Sequence, residues 1–264
     1  MDLSRRQSRR NVLKTGIAVA ASTALSTSET KAAEEPFWEP KKPGELRVTA
    51  ICGEDPQLRN GLRNITKNLP NAKFWWANNR GPITTEMLRD TDLLLTFYSG
   101  YLYTEENIET IIDEITNRGM GWICVHNTHW FVGDKLNAFI GAYPMLHREI
   151  QPVVVCKLNK EHPITKGIEP FIIQLEEQFG AFIADPKDPD FTLLFKGHGL
   201  HDGHWTNQGW CVQRGKGRIV GMTPGHYEWA WYQVQYQELM WRAAHWARNL
   251  PIEPFYGSFE NFIW

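Results

Sequence analysis

Four runs in the first half of the chain are apolar on both faces: Leu46 to Cys52 (LRVTAIC), Lys73 to Ala77 (KFWWA), Asp92 to Tyr98 (DLLLTFY) and Gly121 to Val125 (GWICV). A strand with two apolar faces must be covered on both. The segments between these runs have helical spacing, over Gln57 to Leu69, Thr84 to Arg89 and Thr104 to Arg118. The last opens on Thr104 with Asn107 three residues on and Glu105-Glu106 in the first turn, and it stops at Gly119. Strands and helices in this alternation predict an α/β protein whose central sheet is mainly parallel and lies between two helical layers.

The second half is more mixed. Strands are expected over Val153 to Leu158, Phe171 to Leu175, Thr192 to Lys196, Gly209 to Arg214 and Arg218 to Met222, the last two joined by the turn Gly215-Lys216-Gly217. A short helix is expected over Asp134 to Ile140 and a closing helix from about Trp231 to Arg248. No internal repeat interrupts this order, and one domain over residues 45–252 is the economical reading.

Residues 1–33 read as an export signal. Ser8-Arg9-Arg10-Asn11-Val12-Leu13-Lys14 is a twin-arginine pattern, followed by the apolar run Thr15 to Leu25 and small residues near Thr30-Lys31-Ala32. The run is too short for a stable membrane span, so the expected location is the periplasm or the extracellular space. A Pro-rich linker, 34–44, follows. The tail Glu253 to Trp264 (EPFYGSFENFIW) is too aromatic to be left in solvent, and is expected on this domain or on a partner subunit of a homo-oligomer. The formal net charge is −2, with no Lys/Arg cluster after residue 33, which argues against nucleic acid as a partner. Cys52, Cys124, Cys156 and Cys211 sit in or at the ends of apolar runs without CxxC spacing, and read as buried small hydrophobes.

Chemistry concentrates in histidines after predicted strand ends. His126 and His129 lie in VHNTH directly after GWICV, and His226 lies in PGH after RIVGM. Imidazole is a common metal ligand and a near-neutral acid or base, and open α/β sheets place ligands at the carboxyl ends of their strands. Gly225 lets the backbone turn closely beside a ligand. Glu176-Glu177 ends another strand; strand alternation points one of the two inward, and Glu177 is the candidate carboxylate. His147 is a further candidate at the cleft border. His198, His201 and His204 read as a glycine-broken loop, His162 as structural and His245 as packed. Trp75, Trp76, Trp130, Trp205, Trp210, Trp229 and Trp231 fall near turns or strand ends, where ring faces beside polar rims suit sugars as well as ordinary cores.

Three stretches carry a family resemblance: DLLLTFYSGYLYTEENIETIIDEITNRGMGWICVHNTH, EHPITKGIEPFIIQLEEQFGAF and RGKGRIVGMTPGHYEWAWYQVQYQELMWRAAHWA. On these motifs the chain resembles the ThuA-like (trehalose-utilisation) family, from about residue 45 to 250. The resemblance implies a flavodoxin-like, class I glutamine amidotransferase-like three-layer sandwich. It matches the family's glycine-rich strand ending in His to Gly121–His126, its second His to His129, its acidic segment to Glu176-Glu177-Gln178-Phe179 with Phe179 in place of the usual Tyr, and its terminal Gly-His to Gly225-His226. It also implies a sugar-derived ligand.

The expectation is therefore an exported protein acting on a sugar or keto-sugar, as an isomerase, epimerase or lyase that removes a proton next to a carbonyl. Such chemistry needs a base, here Glu177 or His147, and something to hold the developing oxyanion. A divalent zinc or manganese ion on His126, His129 and His226 is the candidate for the second role. A non-catalytic carbohydrate-binding protein and a metal-dependent hydrolase are the alternatives. Glutamine amidotransfer is not expected, because it needs a thiolate at the turn where His126 stands, and Cys124 lies two residues earlier inside the strand.

Overall fold

The computed structural model describes residues 38–52, 69, 72–77, 84–97, 103–126, 128, 132–145, 148–177 and 180–252. The expected signal segment, all but the last residue of the helix expected over 57–69, and the aromatic tail lie outside these residues.

Among them, eleven strands are found: β1 (Leu46–Cys52), β2 (Ala72–Ala77), β3 (Leu93–Phe97), β4 (Gly121–Val125), β5 (Ala142–Pro144), β6 (Ile150–Cys156), β7 (Phe171–Glu177), β8 (Ala181–Ile183), β9 (Phe191–Gly199), β10 (Trp205–Arg214) and β11 (Gly217–Met222). Nine build one sheet in the order β2-β1-β3-β4-β11-β10-β9-β6-β7, while β5 and β8 form a separate antiparallel ribbon. The pairings from β2 through β1, β3 and β4 to β11 are parallel. Those from β11 through β10, β9 and β6 to β7 are antiparallel.

The expectation of a mainly parallel sheet thus holds for one half only. The reason is connection length. β10 and β11 are joined by a tight turn and β9 and β10 by a short one, and only antiparallel neighbours can be joined so closely.

The helices are α1 (Thr85–Arg89), α2 (Glu105–Asp113, continued by a π-turn over Glu114–Arg118), α3 (Gly133–Ile140), α4 (Glu228–Tyr232) and α5 (Val234–Ala247). Thr104 caps α2 by accepting from the Asn107 N–H, and Gly119 closes the π-turn in the left-handed region at φ 90°. The closing helix comes in two pieces, α4 and α5, because Gln233 is extended at ψ 120°.

Successive residues of the parallel strands feed two cores. Leu95, Ile123, Val125, Val220 and Met222 pack with Trp231 of α4 and with Tyr236, Leu239, Met240, Ala243 and Ala244 of α5. Leu94, Trp122, Cys124 and Ile219 pack on the other face with Leu88 of α1, Ile108 and Ile111 of α2 and Leu136 and Ile140 of α3. This is the three-layer arrangement that strands apolar on both faces require. Gly121 marks a close approach of β4 to α5, since a Cβ there would lie 2.7 Å from the Ala247 carbonyl oxygen. The antiparallel half is covered differently: Ile172 and Leu175 of β7 and Trp205 of β10 stay exposed.

Candidate functional site

His126 follows β4 in the left-handed region, at φ 52°. Its N–H still donates to the Met222 carbonyl at 2.7 Å, so the backbone turns only after the ladder with β11 ends. Thr128 holds the turn from below, its hydroxyl donating to the carbonyls of Thr96 and Val125. The imidazole is therefore delivered to the carboxyl edge of the sheet. It is 1% exposed and stacks on Phe97, with ring centroids 5.4 Å apart, and Trp231 meets Phe97 edge-on.

The segment Thr223–His226 leaves β11 and crosses to the end of β7, tied at nearly every polar backbone atom. The Thr223 N–H donates to the Gln208 carbonyl, the Tyr236 hydroxyl to Pro224, and the Trp231 indole N–H to Gly225. Gly225 sits at φ 133°, a conformation open to glycine and strained for other residues. The N–H groups of Gly225 and His226 then donate to the two oxygens of Glu176, at 2.9 and 3.0 Å. Glu176 is completely buried, and burial pushes its carboxyl up to about 8 against the opposing pull of those two N–H groups.

The rings meet in a defined way. His126 Nδ1 lies 2.8 Å from the Thr223 carbonyl, which can only accept, so Nδ1 carries the proton of the neutral ring and Nε2 a lone pair. Nε2 faces His226 Nδ1 at 2.9 Å, and His226 Nδ1 in turn lies 3.0 Å from a Glu177 oxygen. Three atoms that can each offer a lone pair thus converge within 4.8 Å of one another. A proton on His226 Nδ1 or a cation held between the three atoms satisfies such a point. His126, Glu177 and His226 form the sole such cluster among the described residues. The side chains of His226 and Glu177 are 32% and 16% exposed, so the cluster opens to solvent on their side.

Of the residues picked from sequence, His126, Glu177 and His226 are brought together; His129 and His147 lie outside the described residues. Glu176 is the functional residue that alternation alone misses. On β7 the inward phase Phe171, Ile173 would continue to Leu175 and Glu177, yet Leu175 is 39% exposed and Glu176 is buried. The ladder explains the reversal: Gln151 pairs with Glu176 and Val153 with Ile173, two steps on β6 against three on β7. The extra residue is a bulge, and a one-residue offset exchanges the faces. Glu177 still reaches the cluster because it is the last residue of the strand.

The remaining histidines are held elsewhere. His198 lies on β9 rather than in a loop, its ring 4.6 Å from that of Trp205, with His201 and His204 in the following turn. His162 accepts from the Ile164 N–H and packs on Trp246; His245 contacts the Pro251 carbonyl and Trp241. Trp210 and Trp231 are buried, whereas Trp205 and Trp229 are each 45% exposed. Cys124, Cys156 and Cys211 are free thiols. Cys124 is buried on the α2–α3 face of the sheet, away from His126, and burial pushes its thiol well up.

Fold and site together define a three-layer α/β protein whose sharp turn after strand β4 carries an imidazole. The sequence profile of the ThuA family, trehalose utilisation, matches residues 53–247, and the chain belongs to that family. Solved structures agree at the level of fold. A ThuA-like protein from Bacteroides uniformis ATCC 8492 superposes with a TM-score of 0.61 at 15% identity, over 79% of this chain and 94% of that one. A GMP synthase component from Thermoplasma acidophilum gives 0.51 at 13% identity, over 78% and 94%. A β-galactosidase from Rahnella sp. R3 gives 0.54 at 13% identity, over 79% of this chain but 32% of that one. No curated protein matches the sequence.

Proposed function

We propose that this ThuA-family protein is an exported enzyme that moves a proton next to the carbonyl of a sugar or keto-sugar, as an isomerase, epimerase or lyase, assisted by a divalent ion. The observation that carries this reading is the convergence of His126 Nε2, His226 Nδ1 and a Glu177 oxygen on one point beside solvent. The donor set fits zinc or manganese, which take imidazole nitrogen and carboxylate oxygen. The bond from His126 Nδ1–H to the Thr223 carbonyl is of the kind that fixes the tautomer and orientation of a metal-binding imidazole. Bound by His126 and His226, the ion would supply the positive charge that a developing enediolate oxygen needs.

Glu177 is the general base in this assignment. Its carboxylate takes the proton from the carbon next to the carbonyl and becomes a neutral acid; in an isomerisation it returns that proton to the former carbonyl carbon while the neighbouring hydroxyl proton passes to the former carbonyl oxygen. Glu176 holds the backbone from which His226 projects, and Phe97 and Trp231 keep water from the buried side of His126. Thiol chemistry of the amidotransferase kind has no support, since the turn carries His126 and the Cys124 thiol lies on the opposite face. The twin-arginine segment supports export to the periplasm or beyond.

Elemental mass spectrometry on the purified protein, beside a His126→Ala, His226→Ala variant, tests the assignment. Near-stoichiometric metal in the parent that vanishes in the variant is expected. No metal in the parent after incubation with zinc or manganese removes the ion and leaves acid–base chemistry or sugar binding alone. Water-dependent cleavage of a sugar derivative would instead identify a metal-dependent hydrolase.

A further inference from the structure

Strand alternation leaves one face of the antiparallel half open. Val155 of β6 and Ile173 of β7 point into the core beneath α5, so their neighbours Val154 and Ile172 point to the opposite side. The ladders carry that side across four strands in one row, Ile172, Val154, His198 and Trp205. Cys156, Lys196 and Asn207 form the next row. Where β6 ends, the face runs into a groove. Lys157 leaves the strand in the left-handed region at φ 48°, and its ammonium lies over the Trp205 ring, 3.9 Å from the centroid. The same Lys157 lines a groove of about 290 Å³ with Leu158, Lys160, Ile168, Glu169 and Pro170. Groove and face are therefore one surface, joined at Lys157.

The end of α5 lies on the connection that builds this groove. Arg242 donates to the carbonyls of Pro163 and Lys166, and the Trp246 ring packs edge-on against His162. Leu158, Leu250 and Ile252 then pack against one core. The segment Glu253 to Trp264, outside the described residues, thus sets out from the β6–β7 connection. Its twelve residues reach up to about 40 Å when extended, against about 10 Å from β6 to β10 across the open face. In composition the two are complementary. Phe255, Tyr256, Phe259, Phe262 and Trp264 bring rings, and Glu253 and Glu260 bring negative charge with no Lys or Arg in the segment. The surface offers apolar side chains and the ammonium groups of Lys157, Lys160 and Lys196, against the single carboxylate of Glu169.

We propose that this groove and the face beside it, as far as Trp205, are the dock of the chain's own segment Glu253–Trp264. Its rings lie on Leu158, Val154 and Trp205, and its carboxylates turn toward Lys157, Lys160 and Lys196. Ile172 stands beside this path at the β7 edge and stays in solvent. The chain's own end then covers part of the antiparallel half, as α1–α3 cover the parallel one. A contiguous apolar patch with a charged rim is the kind of surface that binds another segment. The dock is independent of the chemistry at His126, Glu177 and His226.

The test is hydroxyl-radical footprinting of the full chain, read residue by residue by mass spectrometry, with Ile172 as the internal reference. In Phe262→Ser, Trp264→Ser, oxidation of Trp205 relative to Ile172 is expected to rise by about three- to fivefold over the parent. Lys160→Glu, an exposed position in the groove, should give about a twofold rise, and so should added salt in the parent, because exposed charge pairs are screened. Trp205 oxidised as fast in the parent as in the Phe262→Ser, Trp264→Ser variant overturns the dock. Indifference of Trp205 to Lys160→Glu overturns the route through the groove. Sedimentation of the same samples decides whose segment is bound. Protection of Trp205 in a monomer supports the dock, whereas protection that appears only in a dimer, and is lost with it, gives the face to a second copy and overturns the proposal.

Discussion

The two halves of the sheet solve burial differently. From β2 to β11 the strands are parallel and lie between α1–α3 on one face and α4–α5 on the other, so nearly every residue of β3 and β4 is buried. From β10 to β7 the strands are antiparallel, and at the β7 edge one face is left partly to solvent, with Ile172 at 40% and Trp205 at 45% exposure. The candidate site takes its rings from the first half and its carboxylates from the second. His126 and His226 follow parallel strands, whereas Glu176 and Glu177 end the outermost antiparallel one. A buried scaffold and an accessible edge thus meet at the cluster.

That division can be attacked from either side. The largest effect is expected at Glu177→Gln. Turnover of the reactive sugar should fall by about two to four powers of ten, while urea midpoints stay close to the parent's, since the group is partly exposed. Loss of bound metal in this variant would reassign Glu177 from base to third ligand. On the parallel side, Trp122 is fully buried and donates its indole N–H to Thr96. Trp122→Ala should cost about 3–5 kcal/mol in chemical denaturation. A cost under about 1 kcal/mol would show that this half is far more plastic than its two cores imply.

A smaller loss is expected where the halves are joined. Glu176→Gln keeps the shape of the side chain but turns an NH₂ toward one of the two N–H groups it should accept, leaving a buried donor unpaired at about 1–3 kcal/mol. The same pair of proteins reports on pH. With a carboxyl raised from 4.5 to about 8 by burial, the folded state binds the proton more tightly than the unfolded state. Its stabilising contribution is complete below about pH 4.5, is lost as pH rises through about 8, and is then constant. In chelator-treated protein the parent should lose stability relative to Glu176→Gln across that window; a flat difference would mean the carboxyl is already ionised at low pH. The smallest effect is expected at Ile172→Ala on the open face, within about 0.5–1 kcal/mol. A cost near that of Trp122→Ala would mean that this face is covered in solution.

The contrast between the halves also governs how much can be read from the chain. The sequence predicts β1 and β4 at Leu46–Cys52 and Gly121–Val125, the bounds the structure has, because two-sided burial leaves an unbroken apolar run between turn residues. β10 starts at Trp205, four residues before its apolar stretch, because its first residues gain their ladder from β9 rather than from their own composition. A mainly parallel sheet extends to the whole chain a pattern that only the first half carries: connection length, not strand composition, sets the direction of β9, β10 and β11.

By itself, the sequence determined the strands of the parallel half, the turns that carry His126 and His226, and membership of the ThuA family. Only the tertiary structure decided that rings a hundred residues apart share one point, because convergence depends on β4 and β11 being neighbours in the sheet. It alone decided that both glutamates serve the site, one through the backbone and one through its own oxygen. A single extra residue in β7 makes that difference, and a bulge is a property of the pairing of two strands, invisible in either one read alone.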